Sequence, residues 1–506
     1  MERVRGVAVA TPKTCAYTYE PRRFKCKLPV WEGHDTLCIL HDPRKEKDKE
    51  RFKQTLDDRI ASAERDENTR QVDLTGVVFP GPLRWAGRTV PKAISFEGAQ
   101  FMGAARFRGA HFTGDARFNG AQFTGAARFD GAHFTGDAWF GGAQFTGAAR
   151  FDGAQFTGAA WFGGAQFTGA AWFDGAQFTG DAWFHGAQFT GVARFYDARF
   201  AGDAWFRGAQ FTGDAWFHGA QFAGDAWFHG AQFTGDAWFH GAQFTGDARF
   251  DGAHFTESLL FQGKTFPAQQ KVGRVEFVGA AFAQPHRAYF RGVDLSRASF
   301  QNTDITHVQF AGCTWATGPE HAFWPLLRPA KPAKRMSARR QVIREHLELT
   351  AEEGNKGQET RPSHQAVAEQ YRMLRLNYEG SKQEIEAGDF YIGQMDMRRL
   401  DKKEYPSWLY RRLLDVYRTV ALYGESYIRP LVFYVLFGLL FAWAYQWRGC
   451  ASYADGLFTA LTAGALFRDV PVCIDDAEKI LVYFNTLLDT LLLGLALVAL
   501  RRRFHR

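Results

Sequence analysis

The middle of the chain repeats one short pattern of apolar and polar residues. In GAQFTGDAWFH the period is 11, and each period holds two units in which Ala stands two residues before Phe, as at Phe211 and Phe217. Because side chains alternate along an extended chain, Ala and Phe face one side of a short strand and the residue between them faces the other. One such strand cannot bury its Phe alone, so consecutive units must coil and stack. The pattern predicts a β solenoid over residues 72–318.

The units near the end of this segment are evenly spaced: Phe290, Leu295, Phe300 and Ile305 recur every five residues. With Ala two positions before a central Leu or Phe, the unit resembles that of the pentapeptide-repeat family, which implies a right-handed four-sided β-helix. Elsewhere steps of five and six alternate, so we expect one extra residue at alternate corners and about 22 residues per coil. Gly commonly follows Phe by two residues, where we expect it to turn the corner with a positive φ.

The residue between Ala and Phe in the DAxF unit is Trp or Arg from Arg106 to Arg249, and we expect it to face outward. Steps of 22 residues arrange these side chains in two ladders. Large exposed apolar patches mark interfaces, so the ladders form either a surface for a partner or a stack that stiffens the solenoid. The candidate binding residues are Arg128, Arg150, Trp172, Arg194, Trp216 and Trp238 on one side, and Trp139, Trp161, Trp183, Trp205 and Trp227 on another.

Charge narrows the class of partner. Residues 97–261 carry 15 acidic side chains and nine Arg, a net charge of −6 in a chain whose overall charge is +7. Phosphate binding needs a basic surface, so we expect a protein partner and no nucleic acid. Some pentapeptide-repeat proteins bind DNA-topology enzymes by imitating the charge of duplex DNA. The resemblance therefore implies a DNA-mimicking alternative, in which recurring Asp residues such as Asp203 and Asp225 imitate phosphates.

Three Cys and one His lie within the first 45 residues, which we expect to form an N-terminal cap. Cys15, Cys26, Cys38 and His41 are a ligand set that closes a tetrahedral structural zinc site, and the short CILH segment supplies two of the ligands. The alternative is a small cap with unligated Cys. Residues 46–71 are predicted to form a charged helix that covers the open end of the first coil.

The composition changes after the repeats. We expect a basic and polar linker over residues 319–363, a helical hairpin over 364–403 and a juxtamembrane helix over 404–428. This region has no Ser, His and Asp cluster, no Gly-rich phosphate loop and no paired carboxylate motif. The sequence therefore predicts a protein that is not an enzyme.

Two apolar runs near the C-terminus are long enough to cross a bilayer. Leu431–Trp447 has 17 uncharged residues, and Ile480–Leu500 contains only Asp489 as a charge, so residues 429–506 are predicted to form two transmembrane helices with an external loop. Basic residues precede the first run and RRRFHR ends the second. The positive-inside rule then predicts a bacterial inner-membrane protein with both termini and the solenoid in the cytoplasm. Cys450 and Cys473 would lie outside, where they could form a disulfide.

Asn485 and Asp489 lie one turn apart in the second run. A carboxyl group at this depth indicates a subunit contact, a pore lining or a protonated side chain that hydrogen-bonds to a neighbour. The order of span, loop and span is similar in outline to two-helix ion channels, but Ala465, Leu466 and Phe467 stand where a potassium filter would continue. The sequence thus predicts a membrane-anchored scaffold or binding protein, with a homo-oligomeric ion channel as the alternative.

Overall fold

The chain forms two compact units, Met1–Thr314 and Trp315–Arg506. The first is a β solenoid with a small N-terminal cap, and the second is helical. The computed structural model describes residues 13–20, 24–32, 34–263, 273–318, 340–350, 362–403, 406–447, 455, 460–461 and 476–505.

The predicted solenoid is confirmed, with about 11 turns. Within the described residues, four parallel sheets form its sides, and each strand pairs with the strand one coil later. Gln122 pairs with Gln144, a separation of 22 residues, as the alternating steps predict. Tyr289 pairs with Gln309, a separation of 20 residues, where the steps are uniformly five. The spacing of the apolar residues therefore sets the length of each coil.

Two of the four sheets, named A and B here, form neighbouring sides, because strands of sheet A are followed along the chain by strands of sheet B. Sheet A comprises Gln71–Asp73, Ala93–Ser95, Ala116–Arg117, Ala138–Trp139, Ala160–Trp161, Ala182–Trp183, Ala204–Trp205, Ala226–Trp227, Ala248–Arg249, Val275–Glu276 and Ala298–Ser299. Sheet B comprises Val78–Phe79, Gln100–Phe101, Gln122–Phe123, Gln144–Phe145, Gln166–Phe167, Gln188–Phe189, Gln210–Phe211, Gln232–Phe233, His254–Phe255 and Ala281–Phe282.

The other two sheets, named C and D, form the remaining two sides of the solenoid. Sheet C comprises Leu83–Arg84, Ala105–Arg106, Ala127–Arg128, Ala149–Arg150, Ala171–Trp172, Ala193–Arg194, Ala215–Trp216, Ala237–His240, Leu259–Gln262, Ala288–Arg291 and Gln309–Ala311. Sheet D comprises Thr89–Val90, His111–Phe112, His133–Phe134, Gln155–Phe156, Gln177–Phe178, Arg199–Phe200, Gln221–Phe222 and Gln243–Phe244.

The core of the solenoid consists mainly of the Ala and Phe of the repeat units, and from Ala99 to Phe255 these side chains are almost completely buried. Phe rings stack in parallel along the axis of the solenoid. The ring centroids of Phe118 and Phe140, for example, are 4.9 Å apart, and the angle between the ring planes is 2°. Across the axis, Phe118 meets Phe129 edge to face at 5.4 Å. Offset-stacked and edge-to-face contacts are the favourable geometries for aromatic pairs, so the core gains from its rings in both directions.

Gly serves two different purposes at the corners. Gly219 follows Phe217 by two residues and has a φ of +63°, as expected. Gly213 follows Phe211 by two residues but lies outside the left-handed region, so the expectation of a positive φ was wrong there. A Cβ at Gly213 would lie 2.6 Å from the carbonyl oxygen of Gly191 in the preceding coil. At these corners, close stacking of backbone on backbone is what requires Gly.

Helix α1 (Lys49–Arg65) packs against the first coil. Its buried Phe52 contacts Phe79 edge to face at 5.9 Å. The ammonium group of Lys92, at the start of the next coil, donates at 2.8 to 2.9 Å to the carbonyl oxygens of Ala63 and Asp66 at the C-terminal end of the helix and to that of Thr69 beyond it. A cation at this position complements the helix dipole and satisfies carbonyls that have no partner inside the helix.

The helical unit begins with an antiparallel pair of short strands, Ala316–Thr317 and Gln341–Val342. Its helices are α2 (Arg344–Thr350), α3 (His364–Gly380), α4 (Glu384–Leu400), α5 (Trp408–Ala421), α6 (Ile428–Trp447) and α7 (Asp476–His505), with a 3₁₀ turn at Leu422–Gly424. Helices α3 and α4 pack on each other as a hairpin and bury Tyr371 and Phe390.

Helix α6 and the Val482–Arg501 part of α7 are each long and apolar enough to span a membrane. They pack on each other, and Phe441 of α6 contacts Phe484 of α7 at 6.3 Å between ring centroids. Other large apolar side chains on both helices, including Leu440 and Leu491, remain exposed.

Replacing Phe184 with Ala removes a buried ring that stacks on Phe162 at 4.9 Å and on Phe206 at 4.8 Å. We expect a loss of about 3–5 kcal/mol of stability. Because each coil contacts only its neighbours, amide protection should fall in the coils around residue 184 and persist elsewhere, as measured by hydrogen exchange on the full-length chain. Gln188→Ala, at an exposed position in the same coil, is the control. Equal losses in both variants would contradict the stacked core.

Candidate metal centre and outward ladders

The structure brings the four predicted metal ligands together in the N-terminal cap. Cys15, Cys26, Cys38 and His41 are buried, and their ligand atoms all lie within 4.8 Å of one another. A short hairpin, Thr18–Tyr19 paired with Phe24–Lys25, separates the first two Cys. The Cys38–His41 segment forms a turn in which the His41 amide donates to the Cys38 carbonyl at 3.1 Å.

The distances within this cluster suit a tetrahedral ion. The sulfurs of Cys26 and Cys38 are 3.8 Å apart, and the Cys15 sulfur lies 3.6 Å from Nδ1 of His41. Bonds of about 2.3 Å to sulfur and about 2.0 Å to nitrogen would separate tetrahedral ligands by about 3.5–3.8 Å. The Cys38 sulfur is closer to Nδ1 of His41, at 3.1 Å. The residues present could therefore hold a metal ion if their ligand atoms, which lie within 4.8 Å of one another, move to these separations.

Groups around the ligands orient them. Nε2 of His41 lies 3.0 Å from the carbonyl oxygen of Thr75, and donation to that oxygen leaves the Nδ1 lone pair facing the cluster. The ring of Tyr17 stacks on His41 at 4.1 Å. The hydrogen bond with the Cys26 thiol and the contact with His41 lower the pKa of Cys38, which favours the thiolate that metal binding needs.

The five Trp of sheet A form one continuous stack, named the Trp stack below. Adjacent rings are parallel within 3°, with centroids 4.7 to 4.9 Å apart. The guanidinium of Arg249 covers the last ring, 4.5 Å from the Trp227 centroid, and pairs with Asp247 at 3.2 Å. The members of the Trp stack are Trp139, Trp161, Trp183, Trp205 and Trp227.

The ladder of sheet C is less regular because Arg alternates with Trp. Arg150 lies over the Trp172 ring at 4.6 Å and pairs with Asp130 and Asp152 at 2.9 and 2.8 Å. Further along, Arg194 pairs with Asp174, and the rings of Trp216 and Trp238 stack with their centroids 5.7 Å apart. The first member, Arg128, is exposed. Arg150 and Arg194 are therefore engaged within the ladder, which gives this part of sheet C a mixed aromatic and ion-paired surface.

Stacking decides which part of each indole remains available. Inner rings of the Trp stack have a neighbour on both faces, so only ring edges reach the surface. The indole nitrogens of Trp161 and Trp205 are buried and have no hydrogen-bond acceptor among the described residues. Flat bases or sugars thus find no free face between the rings. The Trp stack offers a continuous apolar ridge about 19 Å long, flanked by carboxylates.

The recurring Asp residues have a structural role at the corners. Each occupies the extra position of a six-residue step, and one carboxylate oxygen accepts a hydrogen bond from the backbone of the next coil. Asp203 accepts from the amide of Asp225 at 2.8 Å, and Asp225 accepts from that of Asp247 at 2.8 Å. These hydrogen bonds therefore give the recurring Asp residues a structural role at the corners, and the DNA-mimicking alternative stays a prediction.

Asp396 of α4 is a buried carboxylate that the sequence did not single out. Arg340 contacts it at 2.8 Å and Arg418 at 3.0 Å, while the Tyr423 hydroxyl donates to it at 3.0 Å. Burial and the neighbouring carboxylate raise the pKa of Tyr423, so its hydroxyl remains a donor. These partners come from three other elements, and no sequence spacing predicts their meeting. The cluster fixes α5 on α4, since a buried carboxylate must keep its donors.

Asn485 and Asp489, the two residues singled out in the second candidate span, are both fully buried. The side-chain amide of Asn485 donates to the carbonyl oxygen of Ala460 at 3.2 Å. Asp489 has no hydrogen-bond partner among the described residues. Both side chains therefore point into the helix pair and away from its exposed apolar surface. Cys450 and Cys473 lie outside the described residues, and their disulfide stays a prediction.

Comparison with known proteins identifies the repeats. The family described as "Pentapeptide repeats (9 copies)" matches residues 96–144, 140–188, 173–221, 184–232 and 217–265, and one described as "Pentapeptide repeats (8 copies)" matches residues 286–314. No curated protein matches the chain significantly.

Among solved structures, one described as "Structure of QnrB1 (Full length), a plasmid-mediated fluoroquinolone resistance protein" matches at 17% identity over 46% of this chain and 91% of that chain, with a TM-score of 0.14. A likeness of this size carries no information about function. The repeat matches and the observed coils together show that the solenoid of this chain is built from pentapeptide repeats.

Proposed function

We propose that this protein is a non-catalytic, membrane-anchored scaffold whose solenoid binds a protein partner along the Trp stack. The observation that carries the proposal is the ridge of five partly exposed indoles on sheet A. Single exposed apolar residues are ordinary on a soluble surface, but a contiguous aromatic strip is typical of an interface. The two apolar helices support the anchor.

The chemistry of the ridge favours one class of partner. Because the ring faces are occupied by neighbouring rings, ligands that bind by stacking are disfavoured, and a partner must instead pack apolar side chains against ring edges. Carboxylates such as Asp181 and Asp203 follow the ridge along one border. A protein surface that combines apolar side chains with Arg or Lys complements both features.

Replacing Trp161, Trp183 and Trp205 with Ala removes every ring-to-ring contact of the Trp stack. We expect the amount of partner captured by the full-length chain, measured by quantitative mass spectrometry, to fall at least about tenfold, since hot-spot aromatics dominate interface energies. Each lost stacking contact also costs about 0.5–1.5 kcal/mol, so hydrogen exchange must show that the coils remain folded.

The matched control replaces the exposed Gln166, Gln188 and Gln210 of the same coils with Ala. It alters the neighbouring sheet B to the same extent and should leave the captured proteins unchanged. Identical partners for the Trp and Gln variants would show that the Trp stack only stiffens the solenoid.

We further propose that the Cys and His cluster holds a structural zinc ion. Three thiolates and one imidazole are a donor set that zinc prefers, and a closed set of four protein ligands is typical of a structural ion. The orienting contact between His41 and Thr75 supports this assignment, because it joins the cap to the first coil. Bound zinc would therefore stabilise this end of the solenoid.

Metal analysis of the purified full-length chain should find about one zinc per molecule. Cys38→Ser should lose the ion because this sulfur contacts two other ligands. Cys313→Ser, which changes a cysteine outside the cluster, should retain it. A disulfide between Cys26 and Cys38 in place of the metal would contradict the proposal.

The proposed location is the inner membrane of a bacterium, with the solenoid and both termini in the cytoplasm. Arg411, Arg412, Arg418 and Arg429 precede the uncharged part of α6, and three consecutive Arg end the second span. Basic residues concentrate on the cytoplasmic side of short membrane segments, which supports this orientation. Homo-oligomers fit the same arrangement, since exposed faces of the helix pair could contact another copy.

An oligomeric ion channel is the second candidate, and Asp489 favours it, because an ionisable group in a membrane span commonly serves conduction or assembly. In proteoliposomes, a channel would give ion flux that Asp489→Leu abolishes and Thr490→Leu, a change at an exposed neighbour, leaves intact. Absence of flux from the native chain under all ionic conditions would eliminate this candidate.

A further inference from the structure

Helix α5 exposes an apolar stripe that no described residue covers. Leu409, Leu413 and Val416 follow one another at spacings of four and three residues, which places them on one face of the helix. Their exposed fractions are 56%, 58% and 59%. Three large aliphatic side chains exposed on a single helix face have no structural role within the described unit.

The opposite side of α5 is fixed, so the helix cannot rotate to bury the stripe. Leu414 packs in a small core with Ile392 and Tyr423. Asp415 pairs with Arg399 at 2.8 Å, and Arg418 contacts the buried Asp396. These contacts hold the stripe outward in the folded protein.

The surroundings of the stripe indicate what covers it. Helix α6, the first candidate span, begins at Ile428, seven residues after α5 ends at Ala421. The side chain of Arg412, 75% exposed, borders the stripe, and Tyr410 lies on its other side. Aliphatic side chains bordered by Arg and an aromatic ring are typical of a helix in the headgroup region of a bilayer.

We infer that α5 is an interfacial membrane helix whose Leu409, Leu413 and Val416 contact lipid. Arg412 then contacts the phosphate groups of the lipids. The ion pair between Arg418 and Asp396 then holds the hairpin of α3 and α4 at a fixed distance from the bilayer surface. The inference rests on the proposed membrane anchoring, because continuity with a lipid-facing α6 selects a bilayer over a protein as the occupant. A helix of 14 residues covers about 21 Å of this surface.

Photocrosslinking in nanodiscs of phosphatidylethanolamine and phosphatidylglycerol tests the inference on the full-length chain. Benzoylphenylalanine is introduced in place of Leu413, Leu440 or Ile385, one position per variant. Leu440 is an exposed residue of α6 and reports the membrane span itself. Ile385 is an exposed aliphatic residue at the far end of α4, between two Glu, and is the matched control. Lipid adducts are quantified by mass spectrometry.

We expect lipid adducts at positions 440 and 413, each at least about tenfold more abundant than at 385. Adducts at 440 without adducts at 413 would overturn the interfacial helix and leave the membrane anchor intact. No adduct at 440 would overturn the anchor itself. Protein adducts at 413 would assign the stripe to a partner chain, and equal lipid labelling at 385 and 413 would also refute the inference.

Discussion

Stacking of identical side chains at the spacing of parallel strands is the constraint on which the solenoid depends. In the regular coils each Phe stacks on the Phe of the next coil, as Phe101 does on Phe123 at 4.6 Å and Phe118 does on Phe140 at 4.9 Å. The chain must therefore return to the same register in every coil. A slip of one residue would turn each Phe outward and each Trp, Arg or Gln inward. Every position between the Phe residues is therefore copied as well, and the outward columns follow from the inward ones.

The same constraint explains features that resemble functional signals. At the corner around Gly213 the backbones of consecutive coils approach too closely for a Cβ. The extra residue at this corner, Asp214, accepts a hydrogen bond from the amide of Asp236 in the next coil at 3.1 Å. Acidic columns thus arise from a need for hydrogen bonds at the corners. In the Trp stack, each inner ring is covered on both faces by its neighbours, so no ring face is free for a stacking ligand. Only the edges of these rings reach the surface.

The Cys and His cluster and the buried Asp396 cluster both lie outside the repeats. The cap collects three thiols and an imidazole at the N-terminal end of the solenoid, where His41 touches the first coil through Thr75. In the helical unit, Asp396 gathers two Arg and a Tyr and so fixes the side of α5 that faces inward. The proposed zinc site and the proposed lipid contacts therefore lie outside the repeats, whereas the repeat itself builds the ridge of the Trp stack.

The sequence by itself determined the period, the inward Ala and Phe, the outward ladders, the metal-ligand set and the two apolar spans, because each depends on local spacing or composition. Steps of 22 residues placed Trp161 and Trp183 on adjacent strands. Only the tertiary structure decided that their faces are buried by stacking, that Gly213 serves close approach, and that Asp396 and Asn485 have partners distant in sequence. These outcomes depend on distances between coils or helices, which a linear pattern does not encode.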